Sequence, residues 1–106
     1  MRHFALRHEY RFPVFGPVHY ERANRDGYGT VMNVSSLGWR VSGSLHLEPG
    51  DVCSLNVKLS PTTCVSVAAG KVRWVNGDEF GVETLVLNEA SEARLNAYIL
   101  ERVKTL

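Results

Sequence analysis

Arg7 and Arg11, with three residues between them, and the hexapeptide Asn33-Val34-Ser35-Ser36-Leu37-Gly38 are the parts of this chain best suited to chemistry. A guanidinium is a planar fork of five donors. It pairs bidentately with phosphate oxygens or with the O6 and N7 edge of guanine, and its flat face stacks on aromatic rings. Two such forks this close in sequence can converge on one anionic ligand even from an irregular segment. Asn33 and Ser35 add an amide and a hydroxyl that can reach a base, and Gly38 lets the backbone come close to it. Each half also has a plain structural reading. The arginines can be solvated charges paired with Glu9 or Glu21, and the hexapeptide can be a strand that ends in an Asx or Ser turn.

Other reactive side chains point away from catalysis. His3, His8, His19 and His46 have neither metal-ligand spacing nor a paired nucleophile. Period-2 counting puts Cys53 in phase with Leu55, Val57 and Leu59, whereas Cys64 falls on the face opposite Val65 and Val67. The expectation is two free thiols, buried or half-buried, with no disulfide and no zinc site. Neither a carboxylate pair nor a phosphate-cradling glycine loop is present to suggest an enzyme. A binding module without metal or cofactor is expected.

The chain has 106 residues, 44% hydrophobic and 22% charged, which fits one domain with a modest core. Its formal net charge of +1 excludes the broad electropositive footprint of a protein for bulk nucleic acid. The charge is unevenly placed: Arg2, Arg7, Arg11, Arg22 and Arg25 face only Glu9 and Glu21 within residues 1–25. That favours a focused anion site. No apolar run approaches the roughly 20 residues of a spanning helix, and Met1-Arg2-His3-Phe4 lacks the apolar stretch of a secretory signal. A cytoplasmic location and no membrane span are expected.

The elements that must position these residues read as consecutive strands. The first runs from about Pro13 to Arg22, with Val14, Val18 and Tyr20 in one phase and prolines that suit an edge. Arg25-Asp26-Gly27 turns the chain into a strand from Tyr28 to Ser35. There Met32 and Val34 are expected inward, with Asn33 and Ser35 side by side outside. Ser36-Leu37-Gly38 is a tight corner before the Trp39–Ser42 strand. Pro49-Gly50 suits a type II turn, and Asp51–Leu59 alternates behind it. Gly70 is the expected bulge where the apolar phase shifts from Val65 and Val67 to Val72 and Trp74. Asn76-Gly77 signals a type I′ hairpin between Lys71–Val75 and Glu79–Leu87. Only the tail is helical, over about residues 89–104. Leu95, Tyr98, Ile99 and Val103 share a face, and Asn88 or Ser91 serves as cap. The sum is a mainly β fold, a small antiparallel barrel covered at an open end or seam by a C-terminal helix.

Arg7-His8-Glu9-Tyr10-Arg11 followed by Asn33-Val34-Ser35-Ser36-Leu37-Gly38 resembles the R-x-x-x-R and [D/N]-x-S-x-x-G pattern of the PilZ family of bacterial cyclic di-GMP receptors. Glu48-Pro49-Gly50-Asp51, Gly70-Lys71-Val72-Arg73-Trp74 and Phe80-Gly81-Val82 continue the likeness to about residue 103. The resemblance implies a six-stranded barrel over residues 13–106 and a flexible arginine-bearing switch over residues 1–12. It implies that Arg7 and Arg11 clamp the phosphates and guanine faces of cyclic di-GMP, that Asn33 and Ser35 bond a guanine, and that Gly38 shapes the turn beneath it. Ser36, Arg40 and Trp74 are further candidate contacts, although Trp74 reads first as core and Arg40 and Arg73 first as solvated charges. Asn33 stands where Asp is commoner, and Trp39 stands where a small or aliphatic residue is more usual. Leu6 occupies a position at which family members differ in ligand number, so one or two molecules both fit.

The mechanism so implied is a switch. Ligand orders the segment from Met1 to about Arg11 over the barrel and presents a new surface to a protein partner. The alternative is a nucleotide-independent PilZ-like interaction module in a pilus or motility assembly. A barrel for single-stranded nucleic acid ranks last, because only Tyr28 and Trp39 offer outward aromatics.

Overall fold

Valine-rich alternation with a turn every ten or so residues builds six strands. In this computed structural model, which describes residues 11–104, they are β1 (Phe12–Arg22), β2 (Arg25–Val34), β3 (Gly38–Gly43), β4 (Val52–Ser60), β5 (Thr63–Asn76) and β6 (Glu79–Leu87). All pair antiparallel and close in the order β1-β2-β3-β6-β5-β4. The helix α1 (Glu89–Lys104) follows. This is the six-stranded barrel with a C-terminal helix that the sequence implies. Residues 1–10, which carry Arg7 and most of the expected switch segment, lie outside the described residues.

The inward phase of β1 is as read, with Val14, Val18 and Tyr20 buried. Its ladder to β4 runs over Val18–Glu21, which leaves Pro13 and Pro17 in a stretch paired by register to β2 alone. That is where a residue without an N–H fits. β2 departs from the expected alternation: Val31 and Val34 are fully buried, while Met32 is only half-buried. The β2–β3 register slips between Val31 and Asn33, and this bulge resets the phase.

Two turns move by a residue or more. The β1–β2 hairpin turns at Ala23-Asn24, with Arg22 opposite Arg25, so Asp26 and Gly27 are strand residues. Ala23 carries the left-handed φ of 56°. The β5–β6 hairpin turns at Gly77-Asp78, with Asn76 opposite Glu79. Gly77 has φ 67° and Asp78 is not left-handed, which is the II′ pattern rather than I′. The Pro49-Gly50 turn forms as expected, with Gly50 at φ 96° and Asp51 N–H donating to the Glu48 carbonyl.

Asn88 caps α1, its Oδ1 accepting from Ser91 N–H at 2.7 Å. Ser91 serves instead as a tether: its buried Oγ accepts from Ser66 N–H at 2.9 Å and ties the helix to β5. Leu95 joins the core and Tyr98 and Ile99 pack against it, but Val103 is exposed, so the covering stripe ends a turn early. Glu89 and Glu92 in the first turn and Arg102 and Lys104 in the last complement the helix dipole.

Cys53 is buried as expected, but Cys64, on the outer phase of β5, is exposed rather than half-buried, and neither forms a disulfide. Burial, with a smaller contribution from the Asp51 charge, pushes the Cys53 thiol up to about 11. Thiolate is the reactive form, so burial and the weakened acidity both protect Cys53. In native protein at pH 8, a colorimetric thiol reagent is expected to titrate Cys64 rapidly and Cys53 only after denaturant is added. Equal rates at both would contradict the packing of β4.

Candidate functional site

Barrel closure lines up residues far apart in sequence. Reading across the strands, Pro13 of β1 faces Asn33 of β2, Asn33 faces Arg40 of β3, Arg40 faces Gly81 of β6, and Gly81 faces Trp74 of β5. At the usual strand spacing the row from Asn33 to Trp74 spans about 14 Å. A cavity of about 420 Å³ opens over it, lined among others by Arg11, Asn33, Leu37, Arg40, Trp74 and Glu83.

Arg11 reaches this row because the chain enters β1 at Phe12, opposite Val34. Its Nη1 donates to Asn33 Oδ1 at 3.1 Å. The two described motif halves, 22 residues apart in sequence, thus meet at one rim of the cavity. Arg7 lies outside the described residues.

Ser35 is placed differently from the expectation that it stands outside beside Asn33. It is 1% exposed, and its Oγ accepts from the N–H groups of Leu37 and Gly38, both at 3.2 Å. Ser35 N–H donates to the Gly38 carbonyl at 3.0 Å. The hydroxyl therefore closes the β2–β3 corner from within, an ST-type turn. Ser36 is exposed at the tip of that corner, beside Leu37. Gly38 does not have a left-handed φ. It is needed for close approach: a Cβ there would collide with the Val82 carbonyl oxygen of β6.

The far rim corrects the reading of Trp74. Its phase with Val72 suggests core, yet Val72 is buried and Trp74 is 40% exposed. The β5–β6 register slips between the two residues, which turns the indole outward. It lies over Gly81, where a Cβ would collide with the indole Nε1. Trp39, by contrast, is buried below the cavity, and its Nε1 donates to Thr84 Oγ1 at 2.9 Å.

Three guanidinium groups, those of Arg11, Arg40 and Arg73, and one carboxylate, that of Glu83, line the cavity among the described residues. Arg40 is held by Glu79 through Nε at 3.0 Å and Nη2 at 2.6 Å, and Arg73 by Glu83 through Nε at 2.6 Å. These pairs are half-exposed, so they fix side-chain direction more than they add stability. Sequence reading left Glu83, Gly81 and Leu37 out of the site. The hairpin register would have found the first two, since a glycine opposite an outward tryptophan marks an aromatic laid across a strand. Nothing in the sequence marks Leu37.

The arrangement offers donors for phosphate oxygens, an indole face for a base, and an amide and a carboxylate for base edges. Among the described residues no cluster of three or more His, Cys, Asp or Glu could hold a metal ion, and no helix is long and apolar enough to cross a membrane.

A family model described as PilZ domain matches residues 5–101. Among solved structures, the Bacillus subtilis inhibitor of motility MotI/DgrA is similar in fold, with TM-score 0.74 and 14% sequence identity. The match covers 100% of this chain and 53% of the other, so the chain spans about half the length of that neighbour. No curated protein matches the sequence.

Replacing Ser35 with Ala leaves the buried Gly38 N–H and the part-buried Leu37 N–H without their acceptor, a loss of about 1–3 kcal/mol. Urea denaturation of Ser35→Ala is expected to show a destabilisation in that range, and an unchanged midpoint would contradict the inward hydroxyl.

Proposed function

We propose that this chain, which belongs to the PilZ domain family, is a cyclic di-GMP receptor that answers ligand by closing its N-terminal segment and signals to a protein partner. The observation that carries the reading is the Arg11–Asn33 hydrogen bond at the rim of a cavity whose other side is an outward tryptophan. It brings a phosphate-binding fork and a base-reading amide within reach of one dinucleotide, with an indole across from them for stacking. Arg7, four positions before Arg11, adds the second fork, and Arg40 is a further phosphate contact if it leaves Glu79. Ser35 acts by holding the corner that sets Asn33 and Gly38, and Ser36 reaches the ligand from the corner tip.

Binding rather than catalysis is the proposed activity, with cyclic di-GMP as ligand, no cofactor and a cytoplasmic location. The family supports a ligand-gated adaptor, and closure of residues 1–12 over the barrel supplies the conformational signal.

A second reading keeps the fold without the nucleotide: a protein interaction module in a pilus or motility assembly. The fold likeness to a protein described as an inhibitor of motility favours it. A partner captured equally well with and without cyclic di-GMP would select this reading.

Titration calorimetry of the wild-type chain with cyclic di-GMP is expected to give micromolar or tighter binding that weakens with added salt, far less steeply than binding to DNA. Arg11→Ala, which removes charge-assisted hydrogen bonds, is expected to weaken it by about 10- to 100-fold. Unchanged affinity in Arg7→Ala/Arg11→Ala would place the ligand elsewhere.

A further inference from the structure

The lone carboxylate among the described cavity residues is out of place for an anion site. Glu83 contributes a negative charge where three arginines otherwise gather. It faces Gly38 across β3 and Lys71 across β5, and shares the outer face of β6 with Gly81, two residues away. Gly38 has no side chain, so β3 puts nothing over the carboxylate from the position opposite. Both contacts from Arg73 end on Oε1, and Oε2 takes no part in them. Asn33, at the other rim, has its amide oxygen turned to Arg11.

A guanine carries two adjacent donors on its pairing edge, N1–H and the 2-amino group. Reading that edge needs two acceptors side by side, which a carboxylate supplies and a carboxamide does not. Arg73, through its two contacts to Oε1, holds Glu83 in direction, as a supporting ion pair should. Trp74, beside Gly81, offers a face on which the same base can lie.

We infer that Glu83 is the guanine-specificity residue of this cavity, accepting hydrogen bonds from the N1–H and 2-amino donors of one base while Arg73 orients it. The inference rests on the receptor reading above and names the group that chooses the base. A site built around such an acceptor pair discriminates against a base that lacks one donor, because the acceptor is then left unpaired.

The test compares cyclic di-GMP with cyclic di-IMP, whose hypoxanthine lacks only the 2-amino group. Calorimetry on the folded full chain is expected to show wild type preferring cyclic di-GMP by about tenfold or more. Glu83→Gln keeps the shape but turns an NH₂ toward one of the donors, and is expected to abolish that preference. Arg73→Gln breaks the same ion pair while keeping the carboxylate, and is expected to retain most of it. Two results would overturn the inference: a preference unchanged in Glu83→Gln, including one where both ligands tighten or weaken in parallel, or equal loss of preference in both variants. A wild-type chain that binds neither dinucleotide would overturn the receptor reading itself, and this inference with it.

Discussion

The bulge between Val31 and Asn33 is the constraint on which the site depends. In an unbroken strand these two residues share a face, and with Val31 fully buried Asn33 would point into the core. One extra residue, Met32, rotates the chain so that Val31 and Val34 both fill the barrel while Asn33 meets Arg11 outside. A second slip, between Val72 and Trp74, does the same for the opposite rim. The cavity is thus framed by two places where the ladder breaks its period. Bulges in the wall of a closed barrel are held by the strands on either side, which makes them stable platforms for side chains.

Those neighbours are close-packed backbones. β3 approaches β6 so tightly at Gly38 that no side chain fits, and Leu37 O accepts from Thr84 N–H on β6 at 3.0 Å. Ser35 ties the same corner from inside, and Trp39 plugs the barrel below it. Arg40 and Arg73 at the surface are steered by half-exposed carboxylates that contribute little to stability. Rigidity therefore resides in the corner and the core, whereas the charged side chains above them are half-exposed and held only by surface ion pairs. Such a division suits a binding site that must be shaped in advance yet open to ligand.

Strand number, antiparallel order and the closing helix were legible because they follow from alternation, turn residues and one amphipathic stretch. Cys53 inward and Cys64 outward followed from the same counting. What counting missed lies where the period breaks: Met32 in place of Val31, Ser35 outside rather than within the corner, and Trp74 in the core rather than over Gly81. A bulge is set by cross-strand packing, which a single sequence does not display. Glu83 was missed for a related reason, since its place depends on which residue of β3 it faces. The hairpin turn at Gly77-Asp78 shows the local version, where the Asn-Gly signal lost to the pairing of Asn76 with Glu79.

Amide and indole chemical-shift mapping by nuclear magnetic resonance tests the central claim most directly, because it asks where a ligand sits without altering the protein. On addition of cyclic di-GMP, the largest shifts are expected at Arg11, Asn33, Gly38 and Gly81 and at the Trp74 indole N–H. Shifts gathered instead around His46, Gly77 and Asp78, with the Trp74 indole unmoved, would contradict the account.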